Sequence, residues 1–119
     1  MYGISEDLLA RRVVHDDFGF PDSLTWNATD AILILDKLSQ QKLYVLGGDV
    51  YRILGDRIRS TYDNWCCEYF GDEPLEDYRL RSIAKALEYI RPLVVDPSLI
   101  IGLVVSESPV ERRQVRVDP

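Results

Sequence analysis

The apolar positions of this chain change their spacing along its length, and the first long periodic segment is helical. Residues 28–40 follow Asn27, whose side chain makes a favourable N-cap. Apolar positions in this segment recur at i, i+3, i+4 and i+7, as in an amphipathic helix: Ala31, Ile34, Leu35 and Leu38. A shorter helix is predicted over residues 5–14, because Ser5 and the two acids after it suit a helix N-terminus.

A second long helix is predicted between the polar segment 71–74 and Pro92. An acid followed by Pro74 is a helix-start signal, since proline is tolerated in the first turn. The helix is expected to end at residue 91, because the residue before a proline disfavours helical geometry. Its buried face is expected to contain Leu80, Ile83, Ala84, Leu87 and Ile90. The charged residues Arg79, Arg81, Lys85 and Glu88 lie off that face.

Between the two long helices the spacing becomes that of extended chain. Residues 42–46 and 49–54 are predicted as two strand segments, separated by the adjacent glycines Gly47 and Gly48. Glycine inside a strand usually marks a bulge or a close approach of backbone. We therefore expect the glycines to have a structural use, or to aim the residues after them outward.

The remaining strand signals complete a hairpin and add one buried strand. Gly55–Asp56 has turn chemistry and residues 57–59 alternate polar and apolar, which predicts a hairpin over residues 49–60. Extended chain is expected to continue through residues 62–69. The continuous apolar run Leu99–Val105 is typical of a strand that is central in its sheet or covered on both faces.

These elements predict an α+β fold: a small, largely antiparallel sheet with two main helices packed on it and a short N-terminal helix. The chain has 119 residues, which is the size of one domain, so residues 1–119 are expected to form a single domain. The segment from His15 to Leu24 is expected to be a loop. Residues 106–119 are expected to add an edge strand around 114–117 or to form a mobile tail.

Composition and charge narrow the classes of partner. The chain is 46% hydrophobic and 29% charged, which is typical of a globular protein. Its formal net charge is -6, which argues against direct nucleic-acid binding, because phosphate contacts need clustered Lys and Arg. The same charge suits a basic protein partner and equally suits simple solubility. Oligomeric state does not follow from these numbers.

Cysteine usage and hydropathy bear on location and on bound groups. The chain contains two cysteines, the neighbours Cys66 and Cys67, which rarely form a disulfide with each other. A reducing cytosol is the expected location. The chain has one histidine and two cysteines, which are too few of these ligands for a typical structural zinc site, and no cofactor is expected. The run Leu99–Val105 is too short to cross a membrane, and the N-terminal residues do not have the pattern of a signal peptide.

The candidate functional residues lie in two short motifs that flank the predicted hairpin turn. The first motif is Gly-Gly-Asp-Val-Tyr at 47–51 and the second is Tyr-Asp-Asn-Trp at 62–65. Aromatic residues mixed with short carboxylates are typical of a recognition surface. The predicted partner-binding residues are Asp49, Tyr51, Tyr62, Asp63, Asn64 and Trp65. Trp65 has two open interpretations, a core residue or an anchor for a partner.

Enzymatic chemistry is a competing interpretation of the same region. Asp49, Asp63 and Glu68 are candidates for an acid and base pair, although surface carboxylates are the commoner explanation. His15 precedes two aspartates and is a candidate general base, but no nucleophile motif accompanies it. The two cysteines are expected to pack as small apolar side chains, since acids surround them in sequence.

The two motifs together resemble a family of bacterial immunity proteins from polymorphic toxin systems, the immunity protein forty family. The resemblance covers about residues 20–105 and includes Trp26, the helix that follows it, both motifs and the closing helix and strand. Where the family pattern has a second aromatic after Trp65, this chain has Cys66.

The resemblance implies a function that composition does not provide. Proteins of this kind are non-enzymatic inhibitors that bind a cognate toxin domain and occlude its active site, so that the producing cell is spared. The motif residues are then either contacts with the toxin or parts of the scaffold. The net charge is compatible with a basic nuclease as the toxin. The alternatives are a small enzyme that uses His15 and acidic residues, or a scaffold or ligand-sensing domain without catalysis.

Overall fold

The computed structural model describes residues 3–15 and 24–109 of the chain. In chain order the elements are α1 (Glu6–Ala10), β1 (Thr25–Asn27), α2 (Ala28–Gln40), β2 (Tyr44–Leu54), β3 (Arg57–Cys66), α3 (Leu75–Ile90), a short 3-10 helix (Arg91–Val95) and β4 (Leu99–Ser106). Residues 16–23 of the predicted loop and the predicted edge strand at 114–117 lie outside the described residues.

In the described part of the chain the strands form one antiparallel sheet in the order β1-β4-β2-β3. The apolar run that forms β4 therefore lies between two other strands, and Leu99, Ile100 and Ile101 are buried. Helices α2 and α3 pack on this sheet and on each other. The predicted α+β fold and the predicted central strand are both confirmed.

The helix starts follow the capping signals in the sequence. Helix α2 spans the predicted residues, and the Asn27 side chain accepts a hydrogen bond of 2.8 Å from the Asp30 amide. Helix α1 has the predicted cap at Ser5 but ends at Ala10 instead of residue 14. The chain leaves helical geometry there because the Val13 amide donates to the Thr25 carbonyl at 2.8 Å, alongside β1.

The Gly-Gly step does not divide the extended chain into two segments, as the spacing predicted. Strand β2 is continuous through both glycines, and it pairs with β3 on one side and β4 on the other. The predicted hairpin is confirmed, with Gly55 and Asp56 at its turn. Its second strand extends to Cys66 and stops before the predicted end at residue 69.

The buried face of α3 differs from the predicted one. Leu80 is 50% exposed and Ala84 is also exposed, whereas Tyr78, Ser82 and Ala86 are buried. The face is rotated because polar residues on it find hydrogen-bond partners inside the fold, and such residues can then be buried at little cost. Arg79, predicted to lie off the face, is buried as well.

Two of these buried polar side chains connect α3 to its neighbours. The Ser82 hydroxyl accepts a hydrogen bond of 3.2 Å from the Val45 amide of β2 and donates to the Arg79 carbonyl. The Arg79 guanidinium donates to the Ser39 carbonyl at the end of α2, at 2.9 Å, and to Glu76 on its own helix. These contacts fix the rotation of α3 relative to β2 and α2.

Candidate functional site

The two adjacent glycines allow β3 to approach β2 closely. Gly47 pairs with Cys66 and Gly48 pairs with Trp65 across the strands. A Cβ at Gly47 would collide with the Trp65 carbonyl oxygen, and a Cβ at Gly48 would overlap the Trp65 indole. The register between β2 and β4 also shifts between Val45 and Gly47, which is a bulge. The structural interpretation of the glycines is confirmed.

A second irregularity lies in β3, opposite Val50. The β2–β3 register shifts between Asp49 and Tyr51, and three residues of β3 occupy the place opposite one residue of β2. We call this segment, Thr61–Asp63, the β3 bulge. Its middle residue, Tyr62, has φ 68°, in the left-handed region that non-glycine residues rarely adopt, and is 88% exposed.

Side-chain hydrogen bonds hold the β3 bulge in this conformation. The Ser60 hydroxyl accepts from the Tyr62 amide at 2.9 Å, and the Thr61 hydroxyl accepts from the Asp63 amide at 3.1 Å. The Thr61 hydroxyl also donates to the Val50 carbonyl of β2 at 3.0 Å. The Asn64 amide group donates to the Tyr62 carbonyl at 3.2 Å. The backbone of the exposed Tyr62 is therefore held by hydrogen bonds at both its amide and its carbonyl.

Three of the predicted residues share the sheet face opposite Trp65. Asp49 and Asn64 are paired across β2 and β3 and are both exposed. Tyr51 follows Asp49 by two residues, so its side chain lies on the same face. A Cβ at Gly102 of β4 would lie 3.2 Å from Cε2 of Tyr51, so the tyrosine ring lies against this glycine. Burial, and then the charge of Asp49, raise the pKa of the Tyr51 hydroxyl.

Trp65 lies on the other face of the sheet, inside the core. It is 7% exposed, and its indole stacks on the Tyr89 ring of α3 with 4.7 Å between centroids and 28° between planes. Its Nε1 has no hydrogen-bond partner in the described part of the chain. Of the two open interpretations, the structure places Trp65 as a core residue below the β3 bulge.

Asp63 belongs to the β3 bulge and is exposed. Burial, and then the negative charge of Asp63, raise the pKa of the Tyr89 hydroxyl of α3. The six predicted residues thus surround the outer strand β3 and do not form one flat patch. Asp49, Tyr51 and Asn64 lie on one face, Tyr62 and Asp63 are exposed in the bulge, and Trp65 contacts α3 on the other face.

The family model of immunity protein 40 matches residues 16–105 of the chain. The chain belongs to the immunity protein 40 family. No curated protein and no solved structure matches it. The matched residues include both motifs, β2, β3, both long helices and most of β4, so the resemblance expected from the two motifs is confirmed. Membership of this family implies a cognate toxin as the partner.

Tyr89 is a residue of this immunity protein that sequence reasoning missed. It lies off the predicted apolar face of α3, and its contact with Trp65 joins segments that are far apart in the chain. Nothing in the spacing of α3 distinguishes Tyr89 from an ordinary surface tyrosine. The tryptophan in a predicted strand near two glycines indicates that another large residue packs against it. The sequence does not indicate which residue that is.

The candidate general base His15 lies at the hairpin turn of this immunity protein, away from Asp49. His15 Nε2 lies 2.7 Å from the Asp56 carbonyl oxygen, at the turn of the hairpin. Asp49 is seven residues along β2 from that turn, or about 20 Å at the usual rise of a strand. Asp16 and Asp17, the acids next to the histidine, lie outside the described residues.

The two cysteines have different environments. Cys67 is buried, its sulfur accepts a hydrogen bond of 3.2 Å from Arg81 Nη1, and burial raises the pKa of its thiol. Cys66 is exposed, so the prediction that both pack as small apolar side chains is wrong for this residue. The cause is strand alternation, which turns neighbouring side chains to opposite faces.

Residues 3–15 and 24–109 contain neither a candidate metal site nor a candidate membrane-spanning helix. No group of three or more His, Cys, Asp or Glu side chains there is arranged to hold a metal ion. No helix in the same residues is long and apolar enough to span a bilayer.

Proposed function

We propose that this immunity protein acts in the cytosol by binding its cognate toxin domain and occluding the toxin's active site, without catalysing a reaction. The binding surface is the outer strand β3 with its bulge and the adjacent part of β2. It contains the exposed residues Asp49, Tyr62, Asp63 and Asn64 and the half-buried Tyr51. Trp65 follows this segment in β3 and is buried against Tyr89 of α3.

The conformation of Tyr62 is the observation that carries this proposal. A left-handed backbone costs a non-glycine residue about 1–2 kcal/mol, and such residues cluster at functional sites. Here the conformation exposes a large aromatic ring to solvent and fixes its backbone through hydrogen bonds. A tyrosine on a fixed backbone is a favourable anchor, because the backbone loses little conformational entropy when a partner covers the ring.

The carboxylates beside Tyr62 favour a basic partner. Neither Asp49 nor Asp63 forms an ion pair within the described residues, so both remain available to cations on a toxin. Together with the net charge of -6, this supports a toxin with a basic active site, such as a nuclease. A stable complex of this kind buries about 1,200–2,000 Å² in total.

The experiment co-expresses this protein with the product of the adjacent gene, which the proposed function predicts to carry the toxin domain. The wild-type protein is expected to form a complex in a pull-down and to restore growth of cells that express the toxin. Tyr62→Ala and Asp63→Ala are each expected to weaken binding by about 2 kcal/mol or more, as anchors do. Phe70→Ala is the matched control, because Phe70 is an aromatic residue 67% exposed outside the proposed surface.

Circular dichroism and thermal unfolding keep loss of binding separate from loss of structure. Both surface variants are expected to retain the wild-type unfolding temperature, since the two side chains are exposed. If folded Tyr62→Ala and Asp63→Ala proteins both bind the toxin with wild-type affinity, the proposed surface is wrong. If the wild-type protein neither binds the toxin nor restores growth, the proposed function is wrong.

A further inference from the structure

A shallow apolar depression lies on the side of α3 that meets Trp65. It has a volume of about 390 Å³ and is lined by Lys85, Glu88, Tyr89, Pro92 and Leu93. The lining comes from the last turns of α3 and from the short 3-10 helix that follows it. Most of the accessible lining is apolar, and charged side chains stand at its rim.

Tyr89 makes this depression continuous with the β3 bulge. Its ring stacks on Trp65, the residue below the bulge, and the same residue lines the depression. Asp63 precedes Trp65 by two residues in β3, and its negative charge contributes, after burial, to the raised pKa of the Tyr89 hydroxyl. The path from the bulge along β3 to Trp65, and from Trp65 to Tyr89, therefore leads to this part of α3.

The charges around the depression favour an occupant of particular chemistry. Asp63 and Glu88 supply two negative charges against the one positive charge of Lys85, and none of the three forms an ion pair within the described residues. An apolar lining favours an apolar side chain, and an acidic rim favours a cation next to it.

We propose that the depression receives an apolar side chain of the toxin that is flanked by a lysine or arginine, and that this cation pairs with Asp63. The inference rests on the proposed function, because it extends the same binding surface from β3 onto α3. It also defines the chemistry of the partner: an apolar residue next to a basic one, placed to contact β3 and α3 together.

Lysine acylation of the wild-type protein tests this placement directly. Lys85 lines the depression, whereas Lys42 is exposed at the turn between α2 and β2 and serves as the internal reference. In the saturated complex, acetylation of Lys85 by an N-hydroxysuccinimide ester is expected to slow by about fivefold or more, since contact excludes solvent and reagent. The Lys42 rate is expected to stay the same.

A pair of charge reversals provides the second measurement. Glu88→Lys at the rim is expected to raise the Kd for the toxin domain by about tenfold or more, because it removes a negative charge and places a second positive charge beside Lys85 at the contact. Asp36→Lys on the exposed side of α2 makes the same change in net charge and is expected to raise the Kd by less than about threefold. Calorimetric titration measures both.

The outcomes separate this inference from the proposed function. If the wild-type protein binds the toxin, but Lys85 is acetylated at its free rate and Glu88→Lys behaves like Asp36→Lys, the depression is not part of the interface. The proposed function then stands, with Tyr62 and Asp63 as its contacts. If the wild-type protein does not bind the toxin, both proposals are overturned together.

Discussion

Gly48 and Trp65 form a contact in which neither residue can be changed without affecting the other. A Cβ at Gly48 would lie 2.6 Å from Cζ3 of the indole and 2.7 Å from the Gly102 carbonyl oxygen. The indole in turn fills the space that the missing side chain leaves and stacks on Tyr89. Small and large residues therefore alternate across the layer between sheet and helix, as close packing requires.

Gly48→Ala is expected to lower the free energy of unfolding by about 1–3 kcal/mol, because the added methyl group overpacks this contact. In a Trp65→Phe background the same change is expected to cost less, since the smaller ring removes part of the overlap. Urea unfolding of the four proteins in this double-mutant cycle measures the coupling. Equal costs of Gly48→Ala in both backgrounds would show that the clash is with backbone and not with the indole.

At the scale of elements, charged side chains tie the start of α3 to the chain before it. The Arg81 guanidinium donates to Glu73 at 3.2 Å and to the Glu68 carbonyl at 2.8 Å, and it lies over the Phe70 ring. Arg79 makes the equivalent contact with Glu76 and reaches α2. These arginines lower the pKa of both glutamates, chiefly through the hydrogen bonds they donate.

The pH dependence of stability follows from these lowered pKa values. Each glutamate binds fewer protons in the folded chain than in the unfolded chain. Its contribution to the free energy of unfolding is therefore complete above the ordinary pKa of 4.5, and it is lost as the pH falls through the lower pKa of the folded state. The urea concentration at the unfolding midpoint is expected to decrease as the pH is lowered from 6 to about 3. Glu73→Gln is expected to flatten this slope, and an unchanged slope would show that the Glu73–Arg81 pair makes no contribution.

At the scale of the whole molecule, the net charge of -6 bears on how fast a partner is captured. If the toxin is basic, its encounter with Asp49, Asp63 and their surroundings is electrostatically steered. Raising ionic strength from about 0.05 to 0.5 M is expected to lower the association rate constant by about tenfold, while the dissociation rate changes less. Stopped-flow mixing measures both rates. A salt-independent association rate would argue against a basic toxin surface.

The sequence predicted most of the fold because each long element has a local signal. The Asn27 cap, the glycine turn of the hairpin and the uniform apolar run of β4 are all local patterns. The prediction of the buried face of α3 was wrong because Ser82 and Arg79 are polar, and their hydrogen-bond partners lie in other elements. Hydrophobic periodicity does not predict the burial of a polar residue whose hydrogen-bond partners lie far away in the sequence.

The candidate site was predictable in its residue types but not in its arrangement. The two motifs identified β2 and β3 and the glycines that bring them together. The left-handed conformation of Tyr62 depends on the hydrogen bond that its amide donates to Ser60 and on the one that its carbonyl accepts from Asn64, and the stacking of Tyr89 on Trp65 depends on how α3 packs. Both are properties of the assembled sheet and helix, for which no local pattern exists.

The position of β4 has a consequence for synthesis of the protein. This strand supplies the partner of both β1 and β2, yet it is the last of the described elements to leave the ribosome. Until Leu99–Ser106 has emerged, the hairpin that carries the proposed surface has no neighbour on its inner side, and long-range pairing of this kind is slow. Under the proposed function, each new copy therefore binds toxin only after β4 has left the ribosome, so a cell exposed to toxin depends on molecules that were completed earlier.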